Sequence, residues 1–202
     1  MNNVHYVLRE MEDEKMNTVI TSKEDILQKS QELVMEQGVS AINMRAVAKA
    51  CGVAVGSIYR YFPSKTALLQ CIIEKVWGDI FQKPFVTEEA YIFKAYVRWL
   101  YESILEGNQK YSGFLKLHAI CFADETQKQE GKQAMYAYWG HLQSNMKAIL
   151  EQDTMVCEKA FDQNMTKEQF VDMVFMLLLS MVQQGKKDCY VLLEMVSRCI
   201  YQ

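Results

Sequence analysis

Behind Ser22 the apolar side chains Ile26, Leu27, Leu33 and Val34 recur at the spacing of one helical face. Ser22 stands three residues before Asp25, which reads as a capping box with Asp in place of the usual Glu or Gln. Gly38 supplies a left-handed stop, so the first helix is predicted over about 23–37. Asn43 then caps a short helix from Met44 to Cys51, with Met44, Val47 and Ala48 facing inward. Gly52-Val53-Ala54 makes a tight turn, and a second short helix follows from Val55 to Phe62, where Pro63 ends it. Ser64 opens the next helix, whose apolar positions Leu68, Leu69, Ile72, Ile73 and Val76 carry it to about Gln82. Pro84 breaks the chain there.

Beyond that break the helical patterns are longer, over about 88–106, 111–123, 127–151, 166–184 and 189–201. Gly107-Asn108, the 124–129 stretch, Gly131 and Gly185-Lys186-Lys187 punctuate them. Thr166 and Gln169 form a second capping box, and 152–165 leaves room for one more short helix. No segment reads as a strand. The predicted organisation is a polar extension over 1–21, a compact helical unit over 22–82 and a larger helical unit over 83–202.

Composition agrees with an all-α fold. Nine Gly and two Pro in 202 residues are too few for the turns of a sandwich or barrel. The longest apolar run, Phe170 to Val182, contains Asp172 and falls short of the ~18 residues of a bilayer span. The first 20 residues alternate charges and lack the apolar core of a signal peptide, so a cytoplasmic protein is expected. Six scattered cysteines with no C-x-x-C pair read as small core residues of a reducing compartment. With the three histidines far apart, neither a metal nor a cofactor is expected. Net charge is −3, yet residues 43–65 carry Arg45, Lys49, Arg60 and Lys65 and no acid at all. A local field of that kind can steer a polyanion to a weakly acidic protein.

Those cations sit on the two short helices around Gly52. A helix-turn-helix needs a glycine where the backbone turns at positive φ, and a second helix free to enter the major groove. Ala48 lets the two helices approach, and Val53 and Ile58 are the apolar pegs between them. The run Gly52-Val53-Ala54-Val55-Gly56-Ser57-Ile58-Tyr59-Arg60-Tyr61-Phe62-Pro63-Ser64-Lys65-Thr66-Ala67-Leu68-Leu69, preceded by Arg45-Ala46-Val47-Ala48-Lys49-Ala50-Cys51, resembles the signature of the TetR/AcrR family of one-component regulators. The resemblance covers about residues 22–80. It implies a three-helix DNA-binding head, a linking fourth helix and a carboxy-terminal domain for effector binding and dimerisation.

By the same resemblance Val55 to Tyr61 is the recognition helix. Val55, Gly56, Ser57, Tyr59, Arg60 and Tyr61 then face DNA, the two tyrosine hydroxyls lying on phosphates or near bases. Lys65 would pair with a phosphate at the start of the fourth helix, and Arg45 would touch backbone or a base edge. Two positions depart from the family pattern, which commonly has Ser then Lys after Gly-Val. Ala54 forfeits an N-cap typically worth ~1 kcal/mol. Val55 removes a cation and suits a thymine methyl instead.

The second unit is less specific. Tyr96 and Trp99 share one helical face, Phe114, His118 and Phe122 another, and Tyr136 and Trp139 lie on a third helix. Two readings stand: these side chains line an adaptable cavity for a small hydrophobic effector, or they are ordinary core. Phe170, Val174, Leu177, Leu178 and Met181 belong to a helix apolar nearly all round, with Leu193, Val196 and Ile200 on the last helix beside it. Either the two helices build a homodimer bundle or the first is the central helix of the monomer's own core. The function expected is a homodimeric, ligand-responsive regulator binding a palindromic operator in double-stranded DNA, a repressor released by its effector. The alternatives are a helical protein-interaction module with a degenerate head, and an enzyme using the carboxy-terminal cavity. No G-x-S-x-G, H-E-x-x-H or phosphate loop favours the enzyme.

Overall fold

The computed structural model describes residues 21–111 and 128–201, with the backbone alone at 39 and 128–138. Eight α-helices and no strand are found among the described residues. They are α1 (Lys23–Gln37), α2 (Met44–Cys51), α3 (Val55–Tyr61), α4 (Lys65–Ile80), α5 (Ile92–Lys110), α6 (Lys128–Gln152), α7 (Lys167–Gln183) and α8 (Tyr190–Ile200).

Local chemistry explains most of these boundaries. Ser22 and Asp25 make the reciprocal capping box at α1, and Thr166 and Gln169 make it at α7. Asn43 and Ser64 each accept a backbone N–H at the third helical position of α2 and α4. The expected helix over 111–123 lies outside the described residues. Within 152–165 only a 3₁₀ turn forms, Glu158–Ala160. No helix among the described residues is long and apolar enough to cross a membrane.

The head is α1 to α3 packed on α4, with Ile26, Val34, Val47, Ile58, Phe62 and Leu68 fully buried between them. The body packs α5, α6, α7 and α8 around Phe93, Val97, Leu100, Met146, Val174, Phe175 and Leu178. Here the reading of α7 needs correcting. Phe170, Val174 and Leu178, together with Leu193, Val196 and Ile200 of α8, are at most 7% exposed within the single chain. Leu177 and Met181 are half-buried. Side chains so buried in their own core offer a partner little surface, although Phe170, Val174 and Val196 edge the groove between α7 and α8. The apolar positions of α7 divide into an inward stripe and an outward one, and Met173, Met176, Tyr190, Val191 and Met195 are the exposed set. Cys199 is exposed too, unlike the core cysteine expected there.

Head and body meet where α4 crosses α5. Gly107, expected to end a helix, lies inside α5, which continues to Lys110. A Cβ on Gly107 would stand 2.4 Å and 2.5 Å from Cγ1 and Cδ1 of Ile80, so the glycine is a contact surface for α4. Gly107→Ala should therefore cost about 1–2 kcal/mol from overpacking. At an open helical site the same change would gain about 1 kcal/mol. Chemical denaturation checks this, and combining the change with Ile80→Ala should remove much of the clash component.

Aromatic rings extend the crossing. Trp77 stacks on Phe81 at 5.7 Å, Phe81 packs on Trp99 at 5.5 Å, and Phe85 meets Tyr96 edge-on at 5.0 Å. On the other side Asp79 accepts from Lys110 at 2.6 Å and from the Tyr111 hydroxyl at 2.7 Å. Burial opposes the Asp79 charge, but these two hydrogen bonds and the nearby Lys75 outweigh it and hold the carboxyl below its usual range. The joint therefore keeps its charge at neutral pH. Its stabilisation is lost only as pH falls through that lowered value.

Candidate nucleic-acid interface

The turn between α2 and α3 is built on Gly52. Its backbone takes φ 67° and ψ 27°, a left-handed conformation that costs glycine little and other residues more. The Val53 N–H reaches back to the Ala48 carbonyl at 3.0 Å and the Gly52 N–H to the Lys49 carbonyl at 3.2 Å. These bonds satisfy the last carbonyls of α2 and fix the direction in which α3 leaves. Ile58, fully buried, then pins α3 to the head, and Ala54 gives it no side-chain cap.

Of the seven residues of α3, Ile58 alone is buried. Gly56, Tyr59, Arg60 and Tyr61 are exposed, and Val55 and Ser57 are half-buried. Space over Gly56 is open, with no atom within 4 Å of where a Cβ would stand. Arg45 and Lys49 of α2 and Lys65 at the start of α4 are exposed as well. None of Arg45, Lys49, Arg60 and Lys65 joins an ion pair among the described residues, whereas Lys29, Lys75, Arg98, Lys110, Lys147 and Arg198 do. Among the described residues, four cations outside any ion pair and an exposed phenol, Tyr59, thus surround one short helix.

Tyr61 takes a different place from the one expected. Its hydroxyl donates to the Thr21 carbonyl at 2.5 Å, tying the last turn of α3 to the residue before α1. That commits the only proton of the group, so the hydroxyl cannot also donate to a phosphate. Tyr61 is better described as a brace for the head.

In the body, Tyr96 is buried and Trp99 half-buried, 5.3 Å apart, against Phe81 and Phe85. Burial pushes the Tyr96 hydroxyl above its ordinary pKa, so it stays protonated. Trp139 packs edge-on against Phe175 of α7 at 5.9 Å. Phe114, His118 and Phe122 lie outside the described residues, as does the side chain of Tyr136. Phe81 and Phe85 escaped the sequence reading because Phe81 falls at the end of the predicted fourth helix and Phe85 in the break after Pro84. Two aromatics within five residues of a polar break were the available signal.

Comparison with known proteins agrees with this geometry. Residues 26–72 match the family model described as bacterial regulatory proteins, tetR family. Nucleoid occlusion factor SlmA of Glaesserella parasuis serovar 5 is 31% identical over 96 residues, 46% of this chain and 48% of the relative. The chain thus spans about half the length of that relative. Among solved structures, BioQ with its double-stranded DNA operator superposes with a TM-score of 0.62 at 13% identity, over 89% of this chain and 97% of that one. The multidrug binding protein EbrR complexed with imidazole gives a TM-score of 0.62 at 16% identity, over 88% and 89% of the two chains. At such identities the likeness is one of fold, and it spans head and body together. Residues 26–72 thus carry a domain of the tetR family of bacterial regulatory proteins, a helix-turn-helix head set on an all-helical body.

Proposed function

We propose that this protein is a homodimeric transcriptional regulator that binds a palindromic operator in double-stranded DNA and releases it when a small hydrophobic effector occupies the body. The observation that carries the reading is the exposed, acid-free face of α2, α3 and the start of α4, whose four cations join no ion pair among the described residues. Such cations neutralise phosphates, while Ser57 and Tyr59 can address base edges. The exposed apolar residues of α7 and α8 support a dimer. They border a groove of about 550 Å³ lined by Met173, Leu177, Leu192, Met195 and Cys199. A two-fold pairing of the same helices would cover it. The aromatic surroundings of Tyr96, Trp99 and Trp139 favour a neutral hydrophobic effector over a charged one. Acting as a repressor requires that effector and operator prefer different head positions. A coupling of ~2 kcal/mol would lower DNA affinity about thirtyfold.

Binding of a selected palindromic duplex, titrated against salt, tests the reading. The logarithm of affinity should fall linearly with the logarithm of salt concentration. Lys65→Ala should weaken specific and unrelated duplexes alike and reduce the slope by about one per subunit. Tyr59→Ala should instead change which bases are preferred. Failure to bind any duplex at low salt would exclude DNA recognition. An unchanged slope for Lys65→Ala with altered base preference would overturn its phosphate role.

A further inference from the structure

Tyr111 is the residue at which α1, α4 and α5 meet. It follows the last turn of α5, where its N–H bonds the Gly107 carbonyl at 2.8 Å, and it is only 2% exposed. Its hydroxyl donates to Asp79 Oδ2 of α4 at 2.7 Å, and the neighbouring Lys110 donates to the same oxygen at 2.6 Å. Gln31 of α1 points its amide at the Tyr111 hydroxyl from 3.5 Å. One turn earlier on α5, Gly107 lets Ile80 sit against the helix backbone. The two contacts do different work. Apolar packing of Ile80 on a bare backbone has no directional preference, so α4 could roll over α5 about that point. The Asp79 bonds are directional and charge-assisted, so they select one angle of roll.

We propose that Tyr111 and Asp79 are positioning residues for DNA recognition: with Lys110 they latch α4 onto α5 and fix the tilt of the head, and hence the spacing of operator half-sites a dimer accepts. The inference rests on the DNA-binding dimer proposed above. Neither residue lies on the α2–α3 face, so neither reads a base. Their effect comes through register. B-DNA rises about 3.4 Å per base pair, so a roll that moves each recognition helix by that much along the duplex shifts the preferred spacing by whole base pairs.

The test uses the full-length protein and an operator selected from random duplexes. Derivatives lengthen or shorten the central spacer by one and two base pairs. The wild-type protein should discriminate against the altered spacers. Tyr111→Phe keeps the ring and removes the hydroxyl, and Asp79→Asn keeps the shape and removes the charge. Each should reduce that discrimination about tenfold, the scale of one lost hydrogen bond to a charged group. The salt slope and the base preference within a half-site should stay as in the wild type, which a general loss of folding would not allow. Lys110→Ala, at a partly exposed position, should give a smaller loss in the same direction and guards against misfolding of the other two. Undiminished discrimination in the folded variants would overturn the latch, as would a wild-type protein indifferent to spacing, while leaving DNA binding intact. A wild-type protein that binds no duplex would remove the underlying reading and the latch with it.

Discussion

Asp153→Ala should lower the unfolding free energy by about 3–5 kcal/mol. Asp153 is 5% exposed, and its carboxylate accepts from the Phe93 N–H at 2.9 Å, the Met155 N–H at 3.0 Å and the Tyr201 hydroxyl at 2.5 Å. Tyr91, at the head of α5, provides no side-chain cap, so the first turn of that helix depends on a carboxylate 60 residues further along the chain. Tyr201 completes the arrangement by accepting from the Lys94 N–H at 3.2 Å. Burial and the Asp153 carboxylate push the Tyr201 hydroxyl well above its ordinary pKa, so it remains a donor. Alanine would leave the Phe93 N–H buried without its acceptor and the tyrosine proton without its partner. In a chain of this size 1 kcal/mol shifts the melting temperature by about 2–4 °C, so a fall of roughly 6–20 °C is expected. Tyr201→Phe should lose less, because the carboxylate keeps both backbone donors. An Asp153→Ala protein melting within about 3 °C of wild type would show that α5 needs no such cap.

Met176→Glu, alone or with Val191→Glu, should abolish the proposed dimer at micromolar concentration while leaving the monomer folded. Met176 is 65% and Val191 70% exposed in the single chain, so neither change disturbs the core. Two-fold pairing of α7 and α8 would bury both copies of each side chain. An unpaired carboxylate there costs several kcal/mol, enough to weaken association by at least about a hundredfold. DNA affinity should fall in step, because two linked heads gain on the order of 10²–10⁴ over one. Sedimentation velocity reads the first effect and titration with operator duplex the second. Val174→Glu is the contrasting control, since that side chain is buried and its replacement should unfold the chain. A Met176→Glu protein that stays dimeric would place the interface elsewhere.

The head was legible because its signals are local. Ser22 and Asp25, Asn43, Ser64 and the left-handed Gly52 each act within three or four residues, and each does in the structure what its position suggested. The body was less legible because its decisive contacts are distant in sequence. An apolar run over α7 fixes the helix but not which side of it faces inward, and the inward side took Phe170, Val174 and Leu178. Gly107 looked like a helix stop because a glycine's lack of a side chain serves a turn and a close crossing equally well. Asp153 gave no sign at all: its partners lie 60 and 48 residues away, and nothing in a lone aspartate distinguishes a tertiary cap from a surface charge. Tyr61 was placed on the right helix, but its hydroxyl was claimed by Thr21, 40 residues earlier.

The chain has three tryptophans, and their placement makes its ultraviolet emission a selective witness. Trp77 lies on the linking helix α4, stacked with Phe81 at an interplanar angle of 1°, and Trp99 meets the same ring from α5. Trp139 sits on α6, and α1, α2 and α3 contain none. Rotation of α4 over α5 would move indoles relative to their neighbouring rings and change their emission. Fraying of α1 to α3 away from α4 would leave the indoles largely undisturbed, although far-ultraviolet dichroism would register the lost helix. Heating the protein while recording both signals should therefore separate melting of the head from slippage of the joint, without any label attached.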